Sequence, residues 1–247
     1  MPALTVSTIR HLDKGGRADV RSQRFTFLLL SGGVGTRASA GLPKQFRAIL
    51  GRPMISYAVA IAAAHPQIAQ IITNAPAGFE EMTRDMIAPH AGNVPFQILR
   101  SGATRQHSVA LLLEAAGTEV VILHEAARPC IDGAMIDQLL DHSAENVGLY
   151  GPIPFSMCRI GADGYVTAPV PRDEVFDIQL PQKFNRADLQ RCHQMARRDG
   201  LVFTEDSQLC HHYGARVQAL PGAHKNIKVT YPEDFGIAGQ LLKGFHA

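Results

Sequence analysis

The sequence predicts an α/β fold: an open, mainly parallel, Rossmann-like twisted sheet with helices on both faces and a protruding β-hairpin arm. Three observations lead there. Short apolar segments alternate with helix-period segments from Phe25 to Pro152. A glycine cluster directly follows the first apolar segment. The alternation then breaks in a proline-rich stretch from Pro152 to Pro181, which encloses an Asp163-Gly164 turn.

Strands are predicted at 25–30, 68–73, 95–100, 119–124 and 147–152. Each is short and nearly continuous in hydrophobicity, as a strand covered on both faces requires. Helical spacing at 53–64, 79–91, 105–116 and 133–144 supplies the crossovers that make such a sheet parallel. Within the break, 157–160 and 165–168 flank Asp163-Gly164 and read as a hairpin, because Asp-Gly supplies the positive φ of a tight turn. A lone hairpin buries little, so it is expected to pack on something else, a partner subunit being one candidate. Helices at 186–198 and 206–213, strands at 216–220 and 226–229, and a helix at 231–245 complete the chain. Thr230-x-x-Glu233 ahead of that last helix has the form of a capping box.

A length of 247 residues with 46% hydrophobic content suits one large domain over 24–247, with an arm at about 153–175. Residues 1–23, with Arg10, Lys14, Arg17 and Arg21 and no apolar core, read as a flexible leader rather than a secretory signal. The net charge of +2 gives no basis for nucleic acid or membrane surfaces as partners. No apolar run approaches the roughly 20 residues of a bilayer span. The four cysteines form no C-x-x-C pair, so free thiols in a reducing cytoplasm are expected.

Local charge is more informative. From Val20 through Phe79 there is no Asp or Glu, yet Arg21, Arg24, Arg37, Lys44, Arg47 and Arg52 all fall there. At the end of the first strand stand Ser31, Gly32, Gly33, Val34, Gly35, Thr36 and Arg37, followed by Pro43-Lys44-Gln45-Phe46. Small residues let backbone N–H groups approach a ligand, and cations without a competing carboxylate suit a polyphosphate. Gly33-x-Gly35-x-x-Ala38 matches a dinucleotide fingerprint only superficially. The acidic residue needed about 20 positions later is absent, and Pro43 interrupts the helix that should follow. No Gly-Lys-Ser/Thr follows the glycines, which excludes a Walker loop.

Further segments reach the same rim. His124-Glu125-Ala126-Ala127-Arg128-Pro129 follows the fourth strand, and Glu125 could hold Mg²⁺. The alternative is an ion pair between Glu125 and Arg128 that shapes the loop. Gly102, Ala103, Arg105 and Ser108 open the third helix, where amides and a hydroxyl could meet a base or ribose. Lys228 ends an apolar strand-like segment. His211-His212 reads as helix surface, since adjacent helical residues do not share a face.

Taken together, these strings resemble the cytidylyltransferases that activate polyol phosphates, a family including the methylerythritol phosphate and ribitol phosphate enzymes. Ser31 to Arg37 with Pro43-Lys44-Gln45 is similar to the family's triphosphate loop. Segment 101–109 resembles its cytosine and ribose segment, and 124–129 its His-Asp-Ala-Ala-Arg-Pro. Pro181-Gln182-x-Phe184 resembles its Thr-Pro-Gln-x-Phe, and 226–234 its Asn-Ile-Lys-Val-Thr-x-Pro-Glu-Asp. The chain departs from the pattern at Glu125, at Leu180, and at Phe155-Ser156-Met157-Cys158, where the family has Asp-Thr-Ile/Met-Lys. Arg172-Asp173-Glu174-Val175-Phe176 is closer to the ribitol branch.

The resemblance implies transfer of CMP from CTP to a polyol phosphate, with release of pyrophosphate and with Mg²⁺. It assigns Arg37, Lys44 and Lys228 to catalysis, and Ser31, Gly32, Gly33, Gly35, Thr36, Gly102, Ala103, Arg105 and Ser108 to the nucleotide. Arg128, Ser156, Arg172 and Thr204 would hold the acceptor, and Glu125 the metal. It also implies a homodimer whose arm reaches the neighbouring pocket. A nucleotidyltransferase for another base or sugar phosphate, and a CTP-binding protein without turnover, stay open as alternatives.

Overall fold

Strand β1 (Phe25–Leu30) shows why the sheet must be covered on both sides. Phe25, Phe27 and Leu29 belong to one buried core cluster and Leu28 to another. Side chains alternate faces along a strand, so an uninterrupted apolar run stocks two cores at once. In the computed structural model, which describes residues 23–33 and 42–244, the elements deliver that cover.

After β1, a 3₁₀ turn at Lys44–Phe46 leads into the short strands β2 (Ala48–Ile49) and β3 (Arg52–Pro53), which pair as a small ribbon. Next come α1 (Met54–Ala64), β4 (Ile68–Ala75), α2 (Glu80–Ile87) and β5 (Phe96–Arg100). Then follow α3 (Arg105–Ala115), β6 (Val120–Glu125), α4 (Gly133–Leu140) and β7 (Val147–Pro152). The arm is β8 (Met157–Ile160) with β9 (Val166–Val170), and β10 (Phe176–Asn185) returns the chain to the main sheet. Helices α5 (Arg186–Asp199) and α6 (Asp206–His212), strand β11 (Gln218–Pro221) and helix α7 (Asp234–Lys243) finish it.

The seven-stranded sheet runs β11-β7-β10-β6-β1-β4-β5. Its pairings are parallel except those of β10, which lies antiparallel between β6 and β7. The ends of β1, β4 and β6 therefore meet on one edge, where ligands of open α/β sheets bind. A third, smaller core cluster joins Ile49, Met54, Tyr57 and Cys130 to Val229, Ala238 and Leu242. It fastens the segment carrying Lys228 to the rest of the domain.

The arm pairs as expected, and Gly164 takes the positive φ of 84° that its turn requires. Four differences from the sequence reading stand out. Strand β10 was not anticipated, because prolines and the polar Gln179, Gln182 and Lys183 mask it. Its register slips between Gln179 and Gln182, around Pro181, which has no N–H to give to the ladder. Residues 226–229 belong to no strand; Val229 N–H instead donates to the Ala127 carbonyl at 2.8 Å. Helix α7 begins at Asp234, and the expected capping box does not form. Asp234 Oδ2 itself accepts the Thr230 and Tyr231 N–H groups at 2.7 and 2.8 Å.

Candidate active site

The sheet edge opens into a cavity of about 400 Å³. Strand β1 ends in Ser31, Gly32 and Gly33; β4 brings Asn74, β6 brings Glu125, and the first turn of α3 brings Thr104, Arg105 and Ser108. Lys44 and Lys228 complete the wall.

Backbone geometry at the end of β1 is fixed by buried amides. Ser31 N–H donates to Asn74 Oδ1 at 2.9 Å, and its carbonyl accepts from Gln45 Nε2 at 2.6 Å. Asn74 Nδ2 donates to Ser101 Oγ at 3.0 Å. The chain is so close here that a Cβ on Gly32 would fall 1.8 Å from Ser101 Oγ, so only glycine fits. Among the described residues Ser31 Oγ is buried with no partner, a hydroxyl facing a site that has a use for it. Across the cavity, Thr104 Oγ1 caps α3 by accepting from His107 N–H at 3.0 Å. Ser108 Oγ accepts the Gly102 N–H at 3.1 Å, which shapes the turn ahead of the helix.

Charge is arranged in pairs. Glu125 Oε1 lies 2.8 Å from Arg128 Nε, and its Oε2 lies 2.7 Å from Lys228 Nζ. Burial works against ionisation of Glu125, but Lys228 and Arg128 more than offset it and hold the carboxyl at about 2. Lys44 Nζ donates to the Val229 carbonyl at 2.7 Å, so both lysines are anchored on one short segment. Behind them His124 is fully buried, with Nε2 against the Arg128 carbonyl at 3.0 Å. Burial pulls its pKa down to about 4, so the ring is neutral at pH 7. The first cradle is free of carboxylates in sequence, yet the opposite wall is not, since Glu125 lines it, and Glu205 and Asp206 stand behind Arg105.

Of the residues named from sequence, Ser31, Gly32, Gly33, Lys44, Gly102, Ala103, Arg105, Ser108, Glu125 and Lys228 are brought together. Gly35, Thr36 and Arg37 lie outside the described residues. Arg128 does not line the cavity. It is buried, and besides Glu125 it donates to the Asn226 carbonyl at 2.7 Å and the Ile178 carbonyl at 3.0 Å. Those bonds make it a pin between β6, β10 and the Lys228 segment. Ser156 and Arg172 are exposed on and beside the arm, away from this chain's own cavity, and Thr204 is exposed and bonded to Gln208. Leu180, one of the departures from the family pattern, is packed in the second core cluster. Sequence reasoning missed Asn74 and the carboxylates around Arg105. Asn74 carried a usable signal, an amide at the carboxyl end of an apolar strand.

A glycine-floored pocket at the carboxyl ends of parallel strands, walled by cations, is the architecture of an α/β domain suited to a nucleotide's phosphates. The family model for IspD, 2-C-methyl-D-erythritol 4-phosphate cytidylyltransferase, matches residues 26–244. The chain belongs to that family.

A bifunctional IspD/IspF enzyme of Solidesulfovibrio magneticus is 37% identical over 219 residues, covering 84% of this chain and 54% of that protein. The chain thus spans about half the length of such relatives. A 2-C-methyl-D-erythritol 4-phosphate cytidylyltransferase of Cupriavidus pinatubonensis is 33% identical, covering 90% of this chain and 95% of that one. The crystal structure of the Thermus thermophilus enzyme of the same name superposes with a TM-score of 0.74 at 27% identity, over 90% of this chain and 100% of that one.

Proposed function

We propose that the chain transfers CMP from CTP to a polyol phosphate, forming a CDP-polyol and pyrophosphate, with 2-C-methyl-D-erythritol 4-phosphate as acceptor. The observation that carries this is the convergence of Lys44 and Lys228 on one glycine-floored cavity. The relatives' names support the acceptor. The attacking group is a phosphate oxygen already anionic at pH 7, so no side-chain base is needed; positioning and charge neutralisation carry the chemistry. A new bond forms between that oxygen and the α-phosphorus as the bond to the pyrophosphate oxygen breaks. Lys228, held on Glu125, eases repulsion between acceptor phosphate and α-phosphate, while Lys44 and Arg37 neutralise the triphosphate.

The described residues contain no cluster of three His, Cys, Asp or Glu side chains able to hold a metal. They fit Mg²⁺ carried mainly on the nucleotide phosphates, with Glu125 as the single carboxylate at hand. Its role would be to neutralise phosphate charge. Glu125 would then exchange one of its two cationic contacts for the ion.

The arm supports a homodimer. Phe155, Ile160, Tyr165 and Val166 are all exposed there, and an isolated hairpin is stable only when packed. Ser156 and Arg172 would then reach the partner's acceptor site. Among the described residues no helix is long and apolar enough to cross a membrane. All four cysteines are free thiols, which supports a reducing cytoplasm.

The test is pyrophosphate release with CTP, UTP or GTP against methylerythritol, ribitol, glycerol and amino-alcohol phosphates. Turnover with CTP and methylerythritol 4-phosphate is expected. Tight CTP binding without pyrophosphate from any acceptor would overturn the catalytic reading. The ribitol-like string from Arg172 to Phe176 favours ribitol 5-phosphate as the second acceptor.

A further inference from the structure

Arg105 is the first residue of α3, a place where a cation opposes the helix dipole. Something must hold it there, and the groups that do so come from a distant part of the chain. Arg105 Nη1 lies 2.7 Å from Asp206 Oδ2, and Nη2 lies 3.3 Å from Glu205 Oε2. Asp206 is only 2% exposed, and its other oxygen meets His193 Nε2 of α5 at 2.9 Å. The Arg105 contact with Oδ2 is close but not aligned as a hydrogen bond, so that carboxylate oxygen has no fully directed donor. Burial opposes the charge on Asp206, but Arg105 and His193 hold its pKa at about 2.

The neighbouring residue is tethered the same way. Gln106 Nε2 donates to the Leu201 carbonyl at 3.1 Å, and Gln106 Oε1 accepts from Phe203 N–H at 2.7 Å. The nucleotide-facing end of α3 is therefore clamped to segment 201–206 at two successive residues. Neither Asp206 nor His193 lines the cavity; Arg105 does. We infer that Asp206, backed by His193, is a positioning residue for the nucleotide half of the site, acting through Arg105. With the Asp206 carboxylate gone, Arg105 keeps only its longer contact with Glu205 and is less restrained from turning towards Glu125, and the Gly102–Ser108 wall loses one of its two anchors.

The inference rests on the cytidylyl-transfer reading, which wild-type CTP binding tests by itself. The inference is tested by a double-mutant cycle on CTP affinity, using Asp206→Asn and Arg105→Gln, with thermal unfolding as a check on the fold. Asp206→Asn should weaken CTP binding and raise KM for CTP at least about tenfold, with kcat at saturating CTP within about threefold. Added to Arg105→Gln, it should cost less than about twofold more. A purely structural role would give an additive loss in the double variant, which would overturn the inference, as would wild-type CTP affinity in a folded Asp206→Asn. Should Asp206→Asn not fold, the same cycle with His193→Gln decides by the same criteria, a smaller but equally non-additive loss being expected.

Discussion

Lys228→Met separates catalysis from stability. Lys228 Nζ sits 2.7 Å from Glu125 Oε2, but its side chain is 40% exposed, while Glu125 keeps its 2.8 Å bond to Arg128 in the variant. An ion pair with so exposed a partner contributes at most about 1 kcal/mol to folding. In a domain of this size that corresponds to a fall of roughly 2–4 °C in Tm. Loss of one preorganised cation from a transition state costs far more, about 10²–10³ in rate or roughly 2.7–4 kcal/mol. Steady-state pyrophosphate release with CTP and methylerythritol 4-phosphate should therefore fall at least a hundredfold in kcat. KM for CTP should move only a few-fold, and thermal unfolding should barely change. Turnover within tenfold of wild type would remove Lys228 from the chemistry. A drop in Tm above about 10 °C would mean that the lysine holds the loop together instead.

Lys183 is buried on β10, donates to the His142 carbonyl at 2.7 Å, and has its pKa pulled down to about 8 by burial. The unfolded chain then binds more protons than the folded one between about pH 8 and 10.5, so stability should rise with pH across that window. Urea unfolding at pH 7.5 and 10 should show this rise in the wild type and its absence in Lys183→Met. Gly32→Ala drives a Cβ into Ser101 and Asn74, and calorimetry should find CTP binding lost or weakened more than about tenfold; unchanged affinity would refute the close approach. Paired Tyr165→Asp and Val166→Asp substitutions on the arm should yield a monomer in sedimentation that binds CTP but turns over poorly. A persistent dimer would place the interface elsewhere.

The floor of the pocket was legible because apolar runs locate β1, β4 and β6, and the strand-end rule then says where a ligand sits. Lys228 was legible only through the family pattern, since a segment without ladder partners leaves no periodic trace. Strand β10 was hidden by its own chemistry. Gln182 and Lys183 are buried there because carbonyls of Gln179 and His142 satisfy them, and those partners are invisible in sequence. The partners of Arg105 lie about a hundred positions away, beyond any local reading. The ion pair between Arg128 and Glu125 was one of two readings the sequence offered, and the three-dimensional arrangement shows that pair.

That arginine has a mechanical side. One flat, rigid cation rivets the backbone of the strand leaving the arm to the backbone just ahead of Lys228, with Glu125 seated on the same rivet. The lysine's position is thereby stiffly connected to the root of the arm, so whatever grips the arm also has a lever on the reacting end of the pocket.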